Sequence, residues 1–73
     1  MRIKELQRII SSATNVTVFV AKTKKDADNE VAVYTYHIDV YSDITGMENW
    51  PVEYIYPRAK DELEAWCVKS EIR

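Results

Sequence analysis

The feature that most constrains this chain is the run over residues 31 to 41, in which Ala32, Tyr34, Tyr36, Ile38 and Val40 alternate with Val31, Val33, Thr35, His37, Asp39 and Tyr41. Successive side chains of a strand point to opposite faces, so this period of two predicts one long strand whose first face is the more apolar. A second alternating run, residues 16 to 22, sets Val16, Val18 and Val20 against Thr17, Phe19 and Ala21. Both of its faces carry apolar side chains, which predicts a central strand. Ahead of these runs Ile3, Leu6, Ile10 and Ala13 recur at helical spacing while Arg2, Glu5 and Arg8 fall elsewhere, which predicts an amphipathic helix over residues 2 to 12. Ser11, Ser12, Thr14 and Asn15 end it, because their side chains compete for backbone hydrogen bonds.

Between the two strands, residues 23 to 30 are charged and rich in turn formers, and they are expected to form a mobile loop. Residues 42 to 51 hold the only Gly and one of two Pro, and residues 43 to 50 are expected to make a helical turn between strands. A third strand is expected over 52 to 56, closed by Pro57, which cannot donate to a ladder. The C-terminus is open to two assignments. As a helix, 59 to 72 places Ala59, Leu63, Trp66 and Cys67 on one face; as a strand, 63 to 69 forms a hairpin with the third strand through residues 58 to 62. The hairpin is favoured, since Trp66, Cys67 and Val68 suit a strand and the third strand needs a partner. The expected fold is therefore a single α+β domain over residues 1–73, one N-terminal helix on a three- to four-stranded antiparallel sheet.

A chain of 73 residues leaves little room for an enclosed active site. One Gly is too few for a phosphate-cradling loop, and one Cys with one His holds neither a zinc site nor a disulfide framework. No cofactor or metal is expected. Asp26, Asp28, Asn29 and Glu30 bunch oxygen ligands as a calcium loop does, but the sixth position is not Gly and the twelfth is His37. His37 and Asp39 would share a strand face, and Cys67 could act with His37 only if the last strand brought it there; no catalytic residue is assigned. The chain has no apolar run of membrane-spanning or signal-peptide length, and its lone Cys suits a reducing compartment, so the expected location is cytoplasmic.

The net charge of −2 hides a division along the chain. Residues 1 to 25 carry +5, residues 26 to 57 carry seven acids and no Lys or Arg, and the last sixteen cancel. Six of the eight aromatic residues lie in the acidic stretch. Acids attract a basic partner and accelerate encounter, while Tyr and Trp anchor it at low entropic cost. The expected partner-binding residues are Asp26, Asp28, Glu30, Tyr34, Tyr36, Asp39, Trp50, Glu53, Tyr54 and Tyr56, facing a basic, nucleic-acid-binding protein. For Trp50 the favoured assignment is a cap on one end of the core, with the exposed anchor as the alternative. Direct nucleic-acid binding is disfavoured, because the aromatics sit among acids. The competing expectation is a structural protein that forms a homodimer through its Tyr-bearing face or an open strand edge.

The opening Met1-x-Ile3-Lys4-Glu5-Leu6, the strand Val16-Thr17-Val18-Phe19-Val20, and Val52-Glu53-Tyr54-Ile55-Tyr56-Pro57 followed by Leu63-Glu64-Ala65-Trp66-Cys67-Val68 together resemble small proteins of phages and prophages of Gram-positive bacteria. The resemblance implies an accessory or inhibitor protein. Some proteins of that kind are anti-CRISPR or other anti-defence proteins, and several are acidic α+β domains that occupy a DNA-binding groove. It transfers no functional residue.

Overall fold

Ile3 and Leu6 face inward one turn apart, and the Glu5 carboxylate accepts a hydrogen bond from the Arg2 backbone N–H at 3.0 Å, which closes the first turn of helix α1 (Ile3–Ile9). The computed structural model describes residues 1–69 of the chain. α1 is shorter than the expected 2 to 12. Ile10 is already extended, the Ser11 and Thr14 hydroxyls bond each other at 2.8 Å, and Ala13 is exposed outside the apolar stripe.

Strand β1 (Asn15–Ala21) leads into a second helix, α2 (Lys24–Asp28), followed by β2 (Tyr34–Ile38), β3 (Val52–Ala59) and β4 (Glu62–Val68). The four strands form one sheet in the order β2-β1-β4-β3, so β1 is central as its two apolar faces require. The α+β architecture with an N-terminal helix on a four-stranded sheet is the expected one. The sheet is mixed, however. β1 pairs antiparallel with β2 but parallel with β4, from Asn15 beside Glu62 to Ala21 beside Val68. The chain between β2 and β3 carries the β3–β4 hairpin to the far side of β1, and the second strand of that hairpin then runs the same way as β1.

The C-terminal hairpin is correct over the described residues, and the alternative helix over 59 to 72 is not formed there; its residues 70 to 72 lie outside the description. Leu63, Ala65 and Cys67 stand beside Val16, Val18 and Val20, which buries an apolar set that a helix would have presented differently. Pro57 does not close β3. It lies within the strand opposite Leu63, tolerated because β3 is an edge and needs no ladder bond on its outer side.

The segment expected to be a mobile loop is an ordered helix. The Thr23 hydroxyl accepts from the Asp26 N–H at 3.0 Å, and the C-terminus closes with Glu30 N–H to the Ala27 carbonyl at 3.1 Å and Val31 N–H to the Asp26 carbonyl at 2.8 Å. That closure sets Glu30 at φ 59, a left-handed conformation. It also shortens the long strand expected over 31 to 41, because Val31 is committed to α2 at one end. At the other end the Asp39 carboxylate turns back to accept from Tyr41 N–H at 2.9 Å and the Ser42 hydroxyl at 3.2 Å.

One sheet face is covered by α1 and the 39–51 crossing. Ile3 and Leu6 pack on Val16, Val18, Val20, Ile38, Ala65 and Cys67, with Met47 from the crossing. The crossing also serves the helix start: the carbonyls of Trp50 and Glu48 accept from the Ile3 and Lys4 N–H groups at 3.1 and 3.0 Å, and Gln7 Nε2 donates to the Asp39 and Ser42 carbonyls. Among the described residues the other face is covered at one end, where Ala27 of α2 sits on Ala21 and Trp66 and Trp66 stacks on Phe19 at 4.7 Å between centroids. Among the described residues no helix is long and apolar enough to cross a membrane.

Candidate docking surfaces

Side chains of residues opposite each other in a sheet share a face, so the register assigns each tyrosine to a side. Tyr34 lies beside Val20 and Tyr36 beside Val18, which puts both on the α1 face at the β2 edge. Tyr54 lies beside Trp66 and Tyr56 beside Glu64, on the opposite face at the opposite edge. The ten residues expected to form one acidic, aromatic surface therefore do not. A strand pattern assigns residues to alternate faces but leaves open which faces of different strands coincide.

At the β2 edge the rings of Tyr34 and Tyr36 are 6.5 Å apart, and Tyr36 meets Trp50 edge-on at 5.7 Å. Trp50 is half-buried against the α1-face core, and Lys69 Nζ sits 4.9 Å from its ring centroid. Trp50 thus caps the core and is not a free anchor on an acidic surface. Asp39 also leaves the set, since its carboxylate is spent on the turn after β2.

Of the other six residues, Asp28, Tyr54 and Tyr56 meet at the corner where the end of α2 touches β3, and Asp26, Glu30 and Glu53 flank them in the chain. Tyr54 Oη donates to Asp28 Oδ1 at 2.5 Å, and the rings of Tyr54 and Tyr56 stack at 6.1 Å. Asp26 shares α2 with Asp28, Glu30 follows it, and Glu53 precedes Tyr54 on β3. The hydrogen bond to Asp28, with partial desolvation and the negative charges of Asp28 and Glu53, pushes the Tyr54 hydroxyl up to about 12. Among the described residues no ion pair joins these acids to the basic residues of the first 25; an ion pair at 2.7 Å joins Arg58 to Glu64 within the C-terminal hairpin. Lys24 and Lys25 do lie on α2 with the acids, so the division of charge along the chain is only partly a division of surface.

Sequence inspection missed α2 as the carrier of this corner, although Thr23 three residues before Asp26 is a helix-start signal. It also missed a groove of about 300 Å³ on the α1 face, lined by Leu6, Ile9, Ile10, Ile55, Leu63 and Lys60. Ile9 lies off the helix stripe and signalled no burial partner.

The catalytic alternatives separate in space. Cys67 stands beside Val20 on the α1 face, whereas His37 stands beside Thr17 on the other, with its Nδ1 3.4 Å from the Thr17 hydroxyl. Asp39 is beyond the end of β2 and turned into its own loop, so it does not orient His37. Burial pushes the Cys67 thiol up to about 11, with Glu53 acting in the same sense and Lys69 against it, which keeps the sulfur neutral at physiological pH. No protein family, curated protein or solved structure matches this chain.

Proposed function

We propose that this protein is a non-enzymatic binding module, an accessory or inhibitor protein of the phage type, that docks the corner formed by α2 and β3 onto a basic surface of a nucleic-acid-binding protein. The observation that carries the proposal is the bond from Tyr54 to Asp28, which holds the Asp28 carboxylate of α2 against a stacked tyrosine pair. Two rings with one hydroxyl already fixed offer apolar area at small entropic cost, and the surrounding carboxylates supply steering and orientation. Occlusion is the mechanism: the corner occupies a surface that the partner would otherwise use for nucleic acid.

The test begins with affinity capture from a Gram-positive bacterial lysate at low and high salt, followed by titration of the captured protein against variants. Asp28→Asn with Glu53→Gln removes two charges while keeping the acceptor for Tyr54, and Tyr56→Ala removes one ring. Support would be a basic protein whose affinity falls with salt and falls again in both variants. A partner that binds both variants as tightly as the parent chain, with the same salt dependence, would sink the proposal.

A further inference from the structure

The exposed apolar surface of the molecule is concentrated away from the corner described above. Of the nine large apolar side chains that the described residues leave exposed, five (Val31, Val33, Tyr34, Tyr36 and Tyr41) belong to β2 and its two flanks. Among the described residues β2 is also an edge strand, paired only with β1, and residues 31 to 38 contain no charged residue, no Pro and no Gly. Edges of this kind are templates for another strand unless something blocks them. The opposite edge is blocked: β3 contains Pro57, is interrupted by register shifts at Val52/Tyr54 and Pro57/Ala59, and carries Glu53 and Arg58.

We propose that two copies of this chain pair antiparallel along β2 to form a closed dimer with one continuous eight-stranded sheet. Pairing centred on Tyr36 sets Tyr34 opposite Ile38 and Thr35 opposite His37 of the second copy, with no like charges across the junction. The occupant is a second copy because this edge is uncharged, so that two copies meet without repulsion, and its apolar pattern is self-complementary, Tyr34 meeting Ile38 about Tyr36. The blocked β3 edge limits assembly to two, since a head-to-tail array would need both edges open. A five-residue strand and its flanking side chains bury less than the about 800 Å² per partner typical of stable complexes, so the dimer exchanges with monomer and depends on concentration. It uses the edge opposite the α2–β3 corner and does not depend on that corner's role.

Sedimentation equilibrium over a hundredfold range of concentration tests the proposal, with amide exchange read at β2. Thr35 is exposed and stands beside Phe19 on the face away from α1, so Thr35→Lys and Thr35→Glu add charge without opening the α1-face core. The parent chain is expected to reach dimer mass, with β2 amides more protected at high concentration. Each variant alone should associate about tenfold more weakly or worse, and an equimolar mixture of the two should recover the dimer. Thermal melting of the variants confirms that they are folded. A parent chain that stays monomeric throughout, a dimer indifferent to both substitutions, or β2 protection that arises only with a different protein would each overturn the proposal.

Discussion

Tyr54 Oη and Asp28 Oδ1 lie 2.5 Å apart although 26 positions separate the residues in the chain, and their bond ties a five-residue helix to the β3 edge of the sheet. A helix this short has no stability of its own in water. Its order comes from its two caps, from Ala27 on the Trp66 side of the sheet, and from this hydrogen bond.

The same bond makes stability depend on alkaline pH. The phenol donates to Asp28, so its neutral form is favoured in the folded state and its pKa is raised from 10.0 to about 12. A raised acid contributes its full stabilisation below the unfolded value and loses it as pH rises through the folded value. Denaturation followed between pH 9 and pH 12 should therefore show stability falling above about pH 10, and Tyr54→Phe should flatten that fall. Asp28→Asn keeps an acceptor but removes the charge, and it should bring the Tyr54 titration, read by ultraviolet absorbance, back toward the ordinary value.

Cys67 is fully buried between Val20 and Val52, with its thiol raised to about 11 by burial. Modification by a thiol reagent at pH 7.5 should proceed only through opening of the fold, so its rate should follow denaturant concentration together with unfolding. A burst of labelling in native buffer would contradict the burial. Cys67→Ser, which places a hydroxyl where no acceptor is provided, should cost about 1–3 kcal/mol.

Two left-handed positions give opposite expectations. Glu30 sits at φ 59, where a side chain is strained, so Glu30→Gly should raise stability by up to about 1 kcal/mol while leaving α2 capped. Gly46 sits at φ 88 with open space around its Cβ position, so Gly46→Ala should cost about 1 kcal/mol from backbone conformation alone. Urea denaturation of the two variants measures both.

The core of the α1 face is small, and each member carries a large share of it. Leu6 is buried against strand residues, and Leu6→Ala should lower stability by about 2–5 kcal/mol, enough to leave a marginal domain largely unfolded at 37 °C. Ala13 lies outside the apolar stripe, and Ala13→Ser should change the melting temperature little.

Periodicity alone determined the amphipathic helix, the central position of β1 and the α+β class, because these follow from local spacing and from the need to bury Val16, Val18 and Val20; for the C-terminus strand propensity favoured the hairpin over a helix without deciding between them. The layout of acids and aromatics along the chain marked ten residues as suited to a basic partner, Asp28, Glu53, Tyr54 and Tyr56 among them. Only the tertiary structure decided which of the candidates meet. β1 pairs with β4 in parallel and carries β2 and β3 to opposite edges, so Tyr34 and Tyr36 end on one face and Tyr54 and Tyr56 on the other. The helical state of residues 24 to 28 was likewise a tertiary outcome, fixed by Ala27 in a pocket of Ala21 and Trp66 and by Tyr54 across the sheet. Alternation sets the side of a residue within its own strand. Strand order, direction and register, which bring distant residues together, are set by how the whole chain closes over its core.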